Sequence, residues 1–243
     1  MKTLLIDIET APNLAWVWGM YNQNVSPSQL EKPKDILCFA TEWLDEPYEP
    51  LFFAEWTVGR AGMALSIRKL LDEADAVITY NGDKFDIPHL KSLMLTSGLQ
   101  PPSPFKSIDL YKTMKQFELP FRKLGYVTEL LGLDTKTQTG GFGLWTGVLS
   151  GDPEARAMME AYNRNDVTIM RDLYYRLQPW IKGHPNRNLY GGDGCPKCGS
   201  GNLHKRGTRT TNLGLYQRFQ CQACGAWSTN GATLSRADYR EDR

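Results

Sequence analysis

The chain has 243 residues, 41% hydrophobic and 23% charged, the make-up of an ordinary globular protein with room for one large domain, or for a domain and a small module. No apolar run approaches a bilayer span, and the opening Met1–Asp7 stretch is too short for a signal peptide. Membrane and exported classes are therefore set aside, and a cytoplasmic protein is expected. The net charge of +1 hides an asymmetry: residues 183–243 hold nine Lys and Arg against four Asp and Glu, and the rest hold nineteen against twenty-three. A basic tail on an acidic body suggests an anionic partner for the tail, although a solvated basic surface has the same composition.

Thr3–Thr10 (TLLIDIET) reads as a strand with two acids inside an apolar run. Side chains alternate along a strand, so Asp7 and Glu9 share one face and Ile6 and Ile8 the other. Such a pair is costly in a central strand unless a hard divalent cation neutralises it; the alternative is an edge strand with a wet acidic face. Leu14–Tyr21 is rich in β-formers and is expected to return as an antiparallel strand, its Trp16, Trp18 and Tyr21 by default in the core, with a stacking platform as the alternative. Ile36–Trp43 and Pro50–Trp56 read as further strands, Ala61–Ala74 as a helix by its apolar spacing, and Ala76–Tyr80 as a short buried strand ending at Asn81-Gly82.

Asp86–Ser97 is expected to be helical, with Pro88 in its first turn. Ser107–Thr113 reads as a strand and Lys123–Leu131 as a helix. Residues 134–147 are rich in Gly and Thr and read as a loop; Gly140–Trp145 within it could serve as a flap and matches no nucleotide-binding glycine loop. Asp152-Pro153 looks like a helix start, and that helix runs to about Ile181. Glycine-rich residues 183–194 suggest a linker, dividing the chain into domains 1–182 and 195–243. Strands followed by alternating helices and strands point to an α/β or α+β sheet domain.

Cys38 lies alone in an apolar run and reads as a buried strand residue. The other four cysteines form two pairs, Cys195-x-x-Cys198 and Cys221-x-x-Cys224, each followed directly by glycine. Without an export signal this spacing indicates one structural Zn²⁺. The intervening Lys205–Arg209 and Leu215–Phe219 look like a two-strand hairpin, so that the module is similar to a zinc ribbon held together by its metal. His204 is a weaker ligand candidate. Lys205, Arg206, Arg209 and Arg218, interleaved with Tyr216, Phe219 and Trp227, suit phosphate contacts and base stacking, while docking to a protein partner is the competing use.

Three acidic clusters then have to be read together: Asp7 and Glu9; Asp86 in Asn81-Gly82-Asp83-Lys84-Phe85-Asp86; and Asp166 in Tyr162-Asn163-Arg164-Asn165-Asp166. Asp86 alone could be a helix N-cap. Asp166 sits mid-helix among Val167, Ile169 and Met170, where Asp is unfavourable; the alternative to a functional role is a surface pair with Arg171 or with a Lys or Arg elsewhere. The order Asp-x-Glu, Asn-Gly-x-x-Phe-Asp, Tyr-x-x-x-Asp resembles the DEDD 3′→5′ exonucleases of ribonuclease-H-like fold. The tyrosine variant is the closer, because Tyr162 precedes Asp166 by four and Ala161 stands where the histidine variant needs His. The likeness covers roughly residues 3–181 and extends to Ile108-Asp109-Leu110-Tyr111, Lys123-Leu124 and Leu130-Leu131-Gly132.

The resemblance implies a mixed five-stranded sheet flanked by helices. It implies that Asp7, Glu9, Asp86 and Asp166 hold two Mg²⁺ or Mn²⁺, with Asp7 bridging, and that Tyr162 orients the attacking water. Four clustered carboxylates repel one another, and two cations relieve this and build a phosphodiesterase site. Thr10, Asn81 and Phe85 are candidates for contacts to the terminal nucleotide; Phe85 could equally pack in the core, and His89 reads as a surface or packing residue. The expected function is two-metal 3′→5′ exonucleolysis of single-stranded nucleic acid, DNA before RNA, releasing nucleoside monophosphates. A ribonuclease or structure-selective endonuclease using the same residues, and a non-catalytic nucleic-acid-binding adaptor, remain as alternatives.

Overall fold

The computed structural model describes residues 1–46, 48–133 and 141–237, and the chain divides into two compact units, Lys2–Tyr174 and the part from Tyr175 onward. Among the described residues no helix is long and apolar enough to cross a membrane.

The first unit runs β1 (Thr3–Thr10), β2 (Leu14–Ala15), β3 (Leu30–Lys32), β4 (Ile36–Trp43), β5 (Leu51–Ala54), α1 (Glu55–Glu73), β6 (Ala76–Thr79), α2 (Asp86–Thr96), β7 (Lys106–Asp109), α3 (Leu110–Met114), α4 (Leu124–Leu130), α5 (Phe142–Ser150) and α6 (Pro153–Leu177). Its main sheet has the order β5-β4-β1-β6-β7. β1 lies at the centre, antiparallel to β4 and parallel to β6, and β7 is parallel to β6. This is the mixed five-stranded sheet with flanking helices that the resemblance implies. It is the ribonuclease-H-like fold.

Strand alternation separates the two faces of β1. Leu4, Ile6 and Ile8 are buried with Met63 and Ile67 of α1 and Leu90 and Leu93 of α2. Each such apolar side chain removed from water contributes about 1.5–3 kcal/mol, so this layer is what fixes the register of β1. The other apolar layer gathers Leu37 and Cys38 of β4, Leu144 and Val148 of α5, and Met159 and Tyr162 of α6. α6 starts where expected, with Asp152 Oδ1 accepting the Glu154 N–H at 2.9 Å and Pro153 in the first position.

Several local expectations are corrected. Leu14–Tyr21 is not a strand of the main sheet: only Leu14 and Ala15 are extended, and they pair with Leu30–Lys32 in a separate two-stranded ribbon. Trp16, Trp18 and Tyr21 are not core residues but 73%, 99% and 85% exposed. The strand expected over Pro50–Trp56 stops at Ala54, because α1 begins at Glu55 and tolerates a break at Gly59, whose φ is 67°. Ser107–Thr113 turns helical after Asp109, whose carboxylate accepts the Tyr111 N–H at 3.0 Å and caps α3. Residues 142–147, expected as loop, begin α5; its Leu144 and Val148 are buried four residues apart. Residues 134–140 of that expected loop lie outside the described residues.

The second unit contains β8 (Leu203–Thr210), β9 (Gly214–Cys221) and β10 (Trp227–Arg236) in the order β10-β9-β8. The two-strand hairpin is therefore part of a three-stranded sheet. β10 follows the second cysteine pair, where alternation is too weak to announce a strand.

Candidate active site and cysteine cluster

Three of the four expected carboxylates converge. Asp7, Glu9 and Asp166 each offer an oxygen, and these oxygens lie within 4.8 Å of one another. Asp7 and Glu9 meet because they are two apart on β1. Asp166 joins them from α6, which covers the same face of the sheet. The helix is fixed there by Asn163, whose Nδ2 donates to Asp7 Oδ2 at 2.7 Å and to the Asp7 carbonyl at 3.2 Å. Asn163 is fully buried and one turn before Asp166. Arg171, the surface partner weighed for Asp166, is engaged by Glu42 at 2.5 Å and Asp172 at 3.5 Å.

The fourth carboxylate is held differently. The β1–β6 pairing ends at Leu5↔Ile78, so β1 runs on past its parallel neighbour. Beyond that point the Ile8 N–H, between Asp7 and Glu9 in the chain, donates to Asp86 Oδ1 at 3.2 Å. Asp86 lies in the first turn of α2, with Phe85 at the N-cap position. Burial pushes its pKa up to about 7, with the Asp109 charge adding to the rise and the Ile8 N–H opposing it.

The turn leading to Asp86 is built by two neighbours. Asp109 Oδ1 accepts the Asn81 N–H at 2.8 Å, and Asn81 takes a left-handed φ of 65°. At Gly82 an added Cβ would stand 2.3 Å from Thr79 Cβ and Oγ1, so only glycine fits. Asn81 lines a 650 Å³ concavity with Tyr80, Tyr111 and Arg122. Phe85 is half-buried against the α1–α2 core, its ring 4.6 Å from the His89 ring and beneath Lys34 Nζ at 5.4 Å.

A bulge in the β1–β4 pairing falls between Glu9 and Thr10, a device that re-aims side chains beside functional sites. Thr10 borders an open 400 Å³ cleft with Ala11, Pro12, Lys34, Phe142 and Trp145. Tyr162 is 5% exposed and meets Trp145 edge-on, ring centroids 6.3 Å apart. Cys38, opposite Glu9, has its thiol pushed well up, first by burial and then by the charges of Glu9, Asp7 and Glu160, which disfavours the thiolate.

Asn163 and Asp109 stand within the motifs named above, but their roles in holding Asp7 and the Asn81 turn are not announced by the sequence. A polar residue of poor helix propensity one turn before Asp166 was the available signal for the first. For the second, nothing local distinguishes a capping Asp from one that also reaches back to Asn81.

Both donor sets suit metals. Asp7, Glu9 and Asp166 are hard oxygen donors, the type taken by Mg²⁺ or Mn²⁺. In the second unit, Cys195, Cys198, Cys221 and Cys224 have sulfurs within 4.8 Å of one another. The Cys195–Cys224 and Cys198–Cys221 separations are 3.7 and 3.6 Å, far beyond a disulfide and close to the roughly 3.8 Å edge of a tetrahedron with Zn–S of about 2.3 Å. Each pair sits in a matching knuckle: Gly199 N–H donates to the Cys195 carbonyl at 2.8 Å and Gly225 N–H to the Cys221 carbonyl at 2.9 Å, both glycines at φ near 80°. Burial opposes the Cys221 thiolate, yet the Cys224 and Ala223 N–H groups and neighbouring thiols outweigh it and draw its pKa down to about 7.

Lys205, Arg206 and Arg209 are exposed along β8. Arg218 stacks over Trp227 at 4.6 Å and donates Nε to the Arg206 carbonyl at 3.0 Å.

The fold and the clustered acids define a ribonuclease-H-like protein. The RNase H superfamily model matches residues 4–178, and the chain belongs to that superfamily. Among solved structures 87 chains match. One, a family B DNA polymerase from the hyperthermophilic archaeon Pyrobaculum calidifontis, is 17% identical with a TM-score of 0.54, over 87% of this chain and 31% of that one. The chain thus spans less than a third of that polymerase, and the likeness is one of fold. A search of curated proteins found no match.

Proposed function

We propose that this protein is a metal-dependent nuclease that removes nucleotides from the 3′ end of single-stranded nucleic acid, with DNA preferred. The observation that carries the reading is the convergence of Asp7, Glu9 and Asp166, from a central strand and a distant helix, to within 4.8 Å. Membership of the RNase H superfamily and a fold shared with a DNA polymerase support it. The 3′→5′ direction rests on the Asp-x-Glu, Asn-Gly-x-x-Phe-Asp and Tyr-x-x-x-Asp order, which marks the tyrosine variant of the DEDD exonucleases.

In this reading Asp7, Glu9 and Asp166 would hold the divalent cations, Asp86 would add a further carboxylate, and Asn163 fixes the orientation of Asp7. Two Mg²⁺ or Mn²⁺, when bound, supply a water of lowered pKa and stabilise charge on the leaving 3′-oxygen. The Tyr162 hydroxyl would position the attacking water in line with the scissile bond. Water attacks phosphorus, the P–O3′ bond breaks, and a nucleoside 5′-monophosphate leaves a strand shortened by one residue. Thr10, Asn81 and Phe85 hold the terminal sugar and base. Residues 1–182 form the nuclease domain. Residues 183–194 link it to a zinc ribbon, 195–243, whose Lys205, Arg206, Arg209 and Arg218 grip phosphates. Four zinc-bound thiolates suit a reducing, cytoplasmic setting.

The test is a 5′-labelled DNA or RNA strand carrying either a free or a blocked 3′ end, incubated with the protein and Mg²⁺ or Mn²⁺. A ladder that shortens from the 3′ end and stops at the block supports exonucleolysis. Cleavage that ignores the block replaces it with an endonuclease, and no cleavage with any metal leaves a binding protein.

A further inference from the structure

Between β2 and β3 the chain forms a tongue, Trp16–Gln29, whose large side chains face solvent: Trp16 73%, Trp18 99%, Met20 88% and Tyr21 85% exposed. It is a built element. Trp16 N–H donates to the Gln29 carbonyl at 2.9 Å, and Gln29 Nε2 returns a bond to the Trp16 carbonyl at 3.0 Å. Its root is clamped by Ala11 N–H to the Asp35 carbonyl at 2.8 Å and by Lys34 N–H to Asn13 Oδ1 at 2.7 Å.

Two features say what covers it. Leu14–Gln29 contains no charged residue but does contain Asn22, Gln23 and Asn24 beside the aromatics, while Lys32 and Lys34 stand exposed at the root with the acid Glu31 beside them. Aromatic faces and amides match bases, and the two ammonium groups match phosphates. The position matches as well: the tongue springs from Ala11 and Pro12, which with Thr10 border the cleft beside Glu9.

We propose that the tongue is a stacking surface for unpaired bases of the strand whose end lies at the carboxylate cluster. The proposal rests on the nuclease reading for the identity of that strand. Paired bases are already stacked on each other, so the tongue selects single strands over duplex.

The test uses the full chain in EDTA, a fluorescent oligodeoxythymidylate, the same strand with abasic sugars in place of bases, and a duplex. Removing one stacking ring weakens binding by about tenfold. Trp18→Ala and Trp16→Ala/Trp18→Ala should therefore raise Kd for the base-bearing strand by about tenfold or more and leave the abasic strand and the duplex unchanged. Trp18→Phe should restore most of the affinity. Trp18 is almost wholly exposed, so the single variant keeps the wild-type melting temperature. Equal Kd for wild type and variants, or an equal loss on the abasic strand, overturns the proposal and assigns the tongue to another partner. Cleavage of the same oligonucleotide by the wild type with Mg²⁺ is scored separately. Tryptophan-dependent binding without cleavage sinks the nuclease reading and keeps the tongue; cleavage with tryptophan-independent binding does the reverse.

Discussion

Asn163 of α6 and Asp7 of β1, 156 residues apart, are joined by two hydrogen bonds from one amide nitrogen, at 2.7 Å to the carboxylate and 3.2 Å to the carbonyl. The carbonyl contact fixes where the helix sits along the strand. The carboxylate contact fixes which way Asp7 turns. Asp166, three residues on, is carried to the acid pair by the same docking. The cluster is thus a product of one helix–strand contact rather than of three independent placements.

Asn163→Ala is expected to leave the fold intact but to cost about 1–3 kcal/mol of stability, since buried polar groups lose their partner. Metal affinity or turnover should fall by about 10- to 100-fold, the usual effect of losing a group that orients a metal ligand. Mn²⁺ titration and kcat measured on the same preparation check this. A change in neither would mean that Asp7 is oriented by other contacts.

The raised pKa of Asp86 makes a prediction about pH. Its folded value, about 7, lies above the ordinary 3.8, so the folded chain holds the proton more tightly than the unfolded one. The associated stability is fully present below about pH 4 and is lost as pH rises through 7. In metal-free buffer, Asp86→Asn should gain melting temperature over the wild type progressively across that window. Glu42, also raised chiefly by burial, is common to both proteins and cancels in the difference. Parallel melting curves at every pH would contradict the assignment.

Gly82→Ala should destabilise the first unit by about 1–3 kcal/mol, because the new methyl would lie 2.3 Å from the buried Thr79 side chain and the backbone has to move. The turn it distorts leads into Asp86, so activity should fall with stability. Urea unfolding gives the first quantity and a cleavage rate the second.

The purified protein should carry about one zinc per chain, and Cys198→Ser should reduce that content sharply. Among the described residues, the buried cluster of the ribbon consists of Cys195, Cys221 and Ala226, with Leu203 and the other two cysteines against it, which is too little apolar surface to fold without metal. Atomic absorption and the loss of β8–β10 amide protection on chelation measure the two effects. Retained protection in the zinc-free protein would contradict a metal-dependent fold.

The parts that were legible from the sequence are those where chemistry conflicts with local structure. Two acids in a buried strand, an Asp in the middle of a helix and paired cysteines ahead of glycines each break a local preference, and such breaks mark sites. The tongue and α5 were misread for the opposite reason. Trp16, Trp18 and Tyr21 obey β-propensity, and propensity assumes a neighbouring strand, whereas the pairing with Leu30–Lys32 ends at Ala15. At the start of α5, Gly141 and Gly143 mask the spacing of Leu144 and Val148, which becomes helical once Tyr162 and Met159 are there to pack against. The bonds from Asn163 to Asp7 and from Ile8 to Asp86 belong to tertiary packing, which no window of neighbouring residues contains.

The most direct measurement is the cleavage rate of a 5′-labelled single strand by the wild type and by Asp7→Ala, each with Mg²⁺ and with excess EDTA. The account predicts cleavage only by the wild type and only with metal, with Asp7→Ala as stably folded as its parent. Undiminished cleavage in EDTA, or by Asp7→Ala, would contradict it.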